Sequence, residues 1–514
     1  MATPSLAMIP SAYADSKVYS VLPNNGDGDF TFNRDSSATR VGSNGLIQTV
    51  GFFGNELILS TMINTSYNTF NEASSSGFHA INTAGTSQRA GTVDEIIFVT
   101  GKIYTVNIDV SVVSGIAPFF RARQAIATSP VLFSGQLTDG NNVITFTSTD
   151  TLTGVLEFSN ADAAEYRVSN VSVKEVTGDQ PRLNYDISNG VVQSCPSLLL
   201  EPASTNLVTD YLGSSWATFN GASITANDST SPEGVVNATN IIYGGTANEL
   251  IQKSSITITS GVTYTISGYF KLKSGSLSSS NNDFKGLDGL NGGSIGSSTF
   301  NTINNTWKRF SFSSTSSTTS GRIQIKCEDS AEILIYGLQL EEQSYATSVI
   351  PTNGSSQTRA AETCFGAGTS STFNSTEGVL YAEIAGENDG TFNYISLSDG
   401  GTTNYAGILY TDTNNEITYR YYIGGSGVQI IISGINVTNF NKIAVKWKVN
   451  DFAIWINGVE VGSASSGAVH SSGVFDNLSF ARGGSNNTPF YGNTKDIRVY
   501  NEALTDAQLQ TLTT

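Results

Sequence analysis

Along most of this chain apolar and polar residues alternate with a period of two, the pattern of strands that bury one face. Ile497 and Val499 alternate with Asp496 and Arg498, and Thr505-Asp506-Ala507-Gln508 then spells a capping box, which predicts a last strand followed by one short helix. Upstream, residues 443–462 (IAVKWKVNDFAIWINGVEVG) form two alternating runs, joined at Asn450-Asp451 and broken at Asn457-Gly458. Both dipeptides tolerate positive φ and predict hairpin turns. Val445, Trp447 and Val449 share a face opposite Lys446 and Lys448, so Trp447 is expected in a core and not on a ligand.

Two stretches, residues 56–176 and 206–342, repeat one another. GKIYTVNIDVSVVSG, NNVITFTSTDTLTGVLEFS and YRVSNVSVKEV in the first correspond to GVTYTISGYFKLKSG, NTWKRFSFSSTSSTTSGRIQIKC and ILIYGLQLEEQ in the second. Tyr104 matches Tyr264, and the place of Val171 and Val173 is taken by Gly337, Leu338 and Leu340. The repeat sets a domain map of 1–55 (framing or attachment segment), 56–177 (first sandwich), 178–205 (framing segment), 206–343 (second sandwich), 344–372 (framing segment) and 373–514 (third sandwich). The framing segments combine short apolar strands with Asn-Gly, Pro or Arg-bearing turns. They are expected to pair as one small β-layer into which the sandwiches are inserted, with Arg40, Arg182 and Arg359 anchoring turns by hydrogen bonds to carbonyls or carboxylates. The apolar Leu198-Leu199-Leu200 argues against a free linker.

Composition agrees with an all-β, multi-domain chain. Its 514 residues suggest about three domains, and the 39% hydrophobic and 10% aromatic content suffices for packed cores while only 13% of residues are charged. With 26 Lys and Arg against 43 Asp and Glu, a net charge of −17 and no basic run, nucleic acid and anionic membrane surfaces are poor partners. No window reaches the length of a membrane span, and the first 30 residues lack the charged and apolar regions of a signal peptide, so no membrane insertion and no secretory route are expected. Cys195, Cys327 and Cys364 are too few and too far apart for a disulfide framework or a cysteine-built metal site.

Three resemblances add to this reading. FYGNTKDIRVYNEALTDAQLQTL at residues 490–512, with the Asn457-Gly458 turn, resembles the closing strand and helix of laminin-G-like or pentraxin-like domains, which implies a concanavalin-type sandwich. The strand order of the repeat is similar to the jelly rolls of carbohydrate-binding modules, in which the Tyr-Thr strand is followed by a Trp-bearing one such as Asn305-Thr306-Trp307; the first copy departs from this, with Val143-Ile144 in that place. FTFNRDSSATRVGSNGLI (30–47), PRLNY (181–185) and SLLLEPASTNL (197–207) resemble motifs that recur around inserted sandwiches in phage virion proteins of the tail-fibre, tail-tip or head-fibre type. That resemblance implies a virion-surface location, other virion proteins as partners and assembly as a homo-oligomer. The fold expected is therefore two jelly rolls plus a concanavalin-like, laminin-G-like sandwich, framed by short β segments.

The side chains for chemistry are sparse. His79 and His470 fall in separate predicted domains, in loop-like sequence, which disfavours a Ser-His-Asp triad or a histidine zinc site. The Glu-x-Asp-x-x-Glu pattern by which concanavalin-like glycosidases present two carboxylates is absent, so no catalytic residue is assigned. Asp412, Asn414 and Glu416 alternate in a turn and raise the question of calcium, but Asn/Asp-rich turns carry such spacing for backbone reasons, and no cofactor or metal is assigned. Sugar recognition needs an exposed aromatic plane beside amides or carboxylates. The candidates are Trp216 with Phe219, and Tyr419, Tyr421 and Tyr422, with Trp216 expected in an exposed loop. A non-enzymatic attachment protein for cell-surface glycans, a purely structural virion component and a polysaccharide depolymerase are the functions weighed.

Overall fold

The repeated alternating runs fold into two sandwiches with the same strand order. The computed structural model describes residues 2–53, 56–83, 87–93, 95–188, 190–352, 354–388, 390–484 and 488–514. Met1, Gly54 and Asn55 of the first framing segment and Asn353 of the third lie outside the described residues. In the first sandwich, one sheet runs Gly140–Thr147, Ile103–Ser114, Ala164–Gly178, Gly77–Asn82, Thr69–Ser74, and the other Val131–Gln136, Phe119–Arg123, Leu152–Asn160, Gln88–Gly91, Ile63–Asn64. In the second, the orders are Lys308–Thr315, Thr263–Gly275, Ser330–Glu341, Val236–Gly244, Ser223–Thr230, and Ser294–Ile295, Asp283–Asp288, Ser320–Lys326, Leu250–Thr257, Ala217–Phe219. Strand corresponds to strand along these orders; the first copy adds Phe52–Phe53 beside Ala164–Gly178 and Ile96–Phe98 beside Leu152–Asn160, which have no counterpart in the second among the described residues.

The likeness extends to single hydrogen bonds. The buried Tyr104 Oη accepts the Val99 N–H at 2.9 Å, and Tyr264 Oη accepts the Thr259 N–H at 2.9 Å, each five residues upstream. Such a bond satisfies a phenol that burial would otherwise penalise, and it fixes the turn entering the strand that carries the tyrosine, Ile103–Ser114 or Thr263–Gly275. The pairing of that strand with the closing one slips after Asn107 and Val112 in the first copy and after Ser267 and Leu272 in the second, at the same spacing from the two tyrosines. Bulges of this kind twist a long strand so that its apolar face stays on the core.

The C-terminal sandwich pairs a five-stranded sheet, ordered Ser426–Ser433, Glu416–Ile423, Tyr405–Tyr410, Asn393–Ser398, Asn477–Ser479, with an eight-stranded one. Trp447 is fully buried between them, as its face assignment predicts. Lys446, on the expected polar face, is nevertheless buried, because the Asp506–Thr513 helix packs there through Leu509 and Leu512. The Lys446 ammonium reaches Asp451 at 2.8 Å. At the helix start, the Thr505 N–H donates to Gln508 Oε1 at 2.9 Å within the expected capping box.

The framing segments do not form one separate layer. Arg182–Asn184 and Ser197–Leu200 extend the eight-stranded sheet beyond Gly492–Tyr500, and Leu6–Met8 pairs with that same strand. Tyr13–Ala14, Lys17–Val18, Phe30–Asn33 and Thr363–Phe365 make a four-stranded sheet, and Ala38–Val41 with Ile47–Val50 and Ser204–Asn206 with Gln357–Arg359 make ribbons. The reason is apolar. Leu6, Met8, Val18, Phe30, Phe32, Leu198 and Leu200 point into the same core as Trp447, and a strand carrying such residues gains more from that core than from a thin layer of its own.

Candidate functional site

The framing arginines were expected to anchor turns, and two of them meet in a buried ionic hub. Arg182 is fully buried; its Nε donates to Glu362 Oε1 at 2.8 Å and its Nη1 to Glu201 Oε2 at 2.6 Å and to the Thr39 carbonyl at 3.0 Å. Arg359 Nη1 lies 2.9 Å from Glu201 Oε2, and its Nη2 donates to the Pro202 carbonyl at 2.7 Å. The third arginine is Arg34, whose Nη1 donates to Glu362 Oε1 at 2.8 Å and whose Nε donates to the Ser36 carbonyl at 2.7 Å. Burial alone would raise the Glu201 carboxyl, but Arg182 and Arg359 hold it down at about 2. Glu362 is likewise kept below its ordinary value by Arg182 and Arg34 against the effect of burial.

Arg40, expected to anchor a turn as Arg182 and Arg359 were, does not join this hub. Thr39 and Arg40 are neighbours on one strand and point to opposite faces: Thr39 Oγ1 donates inward to the Val349 carbonyl at 2.6 Å, while the Arg40 guanidinium lies over the Tyr13 ring at 5.5 Å. Its Nε is buried and meets no hydrogen-bond acceptor among the described residues.

The expected aromatic ligand sites separate sharply. Trp216 does stand in a loop, but its side chain is 4% exposed within the second sandwich core, and Nε1–H donates to the Asp210 carbonyl at 3.4 Å. A loop that plugs the end of a sandwich buries its apolar side chain, so Trp216 is not available to a sugar. Replacing Trp216 with Ala is expected to lower the stability of the second sandwich by about 3–5 kcal/mol, read as an earlier melting transition. Phe219 is exposed on the edge strand Ala217–Phe219. Tyr421 is buried in the third core, its hydroxyl donating to the Ser375 carbonyl at 2.7 Å, and Tyr419 is buried beside it. Tyr419 and Tyr421 share the inward parity of their strand, whereas Arg420 and Tyr422 point out.

His79 lies in strand Gly77–Asn82 and not in a loop, with Nε2 at 3.1 Å from Glu165 Oε1. His470, beside the third core, has Nε2 at 3.0 Å from the Tyr422 carbonyl oxygen. In the turn considered for calcium, Glu416 Oε1 accepts the Thr411 hydroxyl at 2.8 Å. Among the described residues no three His, Cys, Asp or Glu side chains converge as metal ligands.

Tyr422 belongs to a constructed surface on the outer face of the five-stranded sheet. Register places Tyr405 beside Tyr422, and Gly407 beside Arg420, which in turn faces Gln429. No side chain therefore stands between Arg420 and the Asn393–Ser398 strand, and Arg420 Nη1 donates across Gly407 to Tyr394 Oη at 2.9 Å. The Arg420 guanidinium also lies over the Tyr422 ring at 5.6 Å, and its Nε donates to Gln429 Oε1 at 3.2 Å. Arg482 covers the buried rings of Tyr394 and Tyr405 at 5.9 and 5.5 Å. The outward layer consists of half-buried Tyr422, Arg420 and Arg482 with exposed Gln429 and Ile431. Neither arginine has an ion pair among the described residues. Burial lowers the Arg420 guanidinium, but its phenolic neighbours outweigh this and raise it, so it stays charged. Tyr394, Tyr405 and Arg482 were not expected here, since only pairing between strands brings them to Tyr422.

Comparison with known proteins finds no match among curated sequences. Among solved structures, the carbohydrate-binding module CBM40 of the Ruminococcus gnavus IT-sialidase bound to α2,3-sialyllactose aligns at 16% identity over 27% of this chain and 83% of that one, with a TM-score of 0.25. Domain 4 of AbnA, a GH43 extracellular arabinanase of Geobacillus stearothermophilus in complex with arabinotriose, aligns at 16% identity over 30% of this chain and 73% of that one, with a TM-score of 0.25. The CBM22-1–CBM22-2 tandem of Paenibacillus barcinonensis Xyn10C aligns at 11% identity over 57% of this chain and 98% of that one, with a TM-score of 0.20. Residues 380–510, which carry the Arg420 and Tyr422 surface, match the model of the concanavalin A-like lectin/glucanases superfamily.

Proposed function

We propose that this chain is a non-enzymatic surface protein of a phage particle, a tail fibre, head fibre or capsid decoration, which attaches to glycans through the Arg420–Tyr422 face of its C-terminal sandwich. The observation that carries the glycan part is the arrangement of two arginines, without ion pairs among the described residues, over three tyrosine rings, beside an exposed amide and an exposed isoleucine, in a segment matching a lectin/glucanase superfamily. A half-buried tyrosine ring offers a plane to the apolar face of a pyranose, and the Arg420 guanidinium and the Gln429 amide N–H groups supply donors for its hydroxyls.

The particle part rests on the framing motifs at 30–47, 181–185 and 197–207 and on what they build. A hub of buried ion pairs among segments distant in sequence fixes the inserted sandwiches to one rigid base, which suits a protein that must hold a binding face away from a particle. Glu201 and Glu362 are consumed by that hub and serve structure. Other virion proteins and further copies of this chain are its expected partners.

Two measurements test the reading. A glycan array probed with the purified chain is expected to give hits without release of reducing sugar from them, and antibodies against the chain are expected to label intact particles. Sugar release would favour a depolymerase, and labelled particles with a blank array would leave a purely structural component.

A further inference from the structure

A second recess, separate from the Tyr422 face, lies where the framing segments meet the second and third sandwiches. It is open to solvent and offers about 220 Å³, and its walls include Arg40 and Asn184 of the framing segments, Tyr269 and Arg309 of the second sandwich, and Glu387 and Asn493 of the third. This is below the roughly 300–1,000 Å³ of pockets for drug-sized ligands and suits a single sugar ring.

Its polar groups are unevenly satisfied. Arg309 lies over the Tyr269 ring at 5.5 Å and its Nη2 donates to Ser267 Oγ at 3.0 Å. Its Nε, like that of Arg40, is buried and finds no acceptor among the described residues. Neither guanidinium has an ion pair there, in a chain whose net charge is −17. The carboxylates on the wall do not supply the missing charge. Glu201 is taken up by Arg182 and Arg359, and Glu387, which accepts from Asn493 Nδ2 at 3.1 Å, is pushed up to about 8 by burial and by the Glu201 carboxylate. Raised above its ordinary value, Glu387 leans toward the neutral carboxylic acid, a form that can donate.

We propose that this recess binds an acidic monosaccharide, with its carboxylate taken by Arg40 and Arg309, its ring against Tyr269, and its hydroxyls on Asn184, Asn493 and Glu387. Two guanidinium groups give charge-assisted bonds that a neutral sugar cannot reproduce. The site shares no residue with the Arg420–Tyr422 face, so the two stand or fall separately.

The full-length chain is titrated calorimetrically with glucuronate, galacturonate, glucose and galactose, together with Arg309→Gln, Arg40→Gln and Arg420→Gln variants. Expected is binding of one uronate and not of its neutral parent, weakened about tenfold or more in both Arg309→Gln and Arg40→Gln and unchanged in Arg420→Gln. Two variants are used because Arg309 and Arg40 sit on different elements, and a fault in one fold leaves the other informative. Absence of uronate binding by folded wild-type chain, equal binding of the neutral sugars, or a loss confined to Arg420→Gln overturns the proposal. The last outcome moves the acid to the Tyr422 face, while failure of that face alone leaves the uronate result intact.

Discussion

Replacing Arg182 with Met is expected to lower the stability of the hub and the C-terminal sandwich by about 3–5 kcal/mol, the cost of stripping a buried ion pair of one partner. The side chain is fully buried and bonds both Glu201 and Glu362, so its loss leaves two carboxylates in an apolar setting with one arginine each. Differential scanning calorimetry would register this as a fall of roughly 6–20 °C in one transition, because Arg182–Asn184 is a strand of the C-terminal sandwich's own sheet. The first sandwich should melt as before. A contrast is Arg167, paired with Glu72 on the surface with side chains 45% and 57% exposed; Arg167→Gln should cost under about 1 kcal/mol. Equal small effects from the two substitutions would mean that the hub is not what joins the segments.

A fragment comprising only residues 366–514 is expected not to fold, although it contains the whole stretch that matches the lectin/glucanase superfamily. It would lose Leu6, Met8, Val18, Phe30, Phe32, Leu198 and Leu200 from its core. At about 1.5–3 kcal/mol for each buried side chain, that deficit equals or exceeds the 5–15 kcal/mol by which a typical domain is stable. It would also bare one edge of Gly492–Tyr500, which the full chain covers with Ser197–Leu200 along one half and Leu6–Met8 along the other. The circular dichroism of the fragment should therefore lack a cooperative melt, and its solubility should be poor. A cooperative transition close to that of the full chain would show that the framing strands are ornaments on a self-sufficient sandwich.

These two results concern the part of the molecule least legible in the sequence. Alternation reported strands wherever one face was buried, so the place of Trp447, the capping box at Thr505 and the match of Tyr104 to Tyr264 could all be read from short windows. Alternation also separated Tyr421 from Tyr422, since neighbours on a strand face opposite ways, and naming both as ligand residues ignored that parity. Trp216 misled for a different reason: a loop sequence says that backbone pairing stops, and says nothing about where an indole goes. The hub lay beyond local reading because its partners are far apart; the Arg182 guanidinium and the Glu362 carboxylate are separated by 180 residues, and Arg34 and Glu362 by 328. Arg34 stood inside the quoted motif at 30–47, but nothing in one strand tells which arginine turns inward. The Tyr394, Tyr405 and Arg482 contributions to the outer face were likewise set by register between strands.

Recognition of a glycan at the Arg420–Tyr422 face is tested most directly by titrating the best array ligand into wild-type chain and into a Tyr422→Ala variant with an unchanged melting profile. Tyr422 is half-buried on an outer face, so its truncation should spare the fold and remove the stacking plane, weakening binding about tenfold or more. Equal affinity for the two proteins would contradict it and place the sugar elsewhere on the molecule.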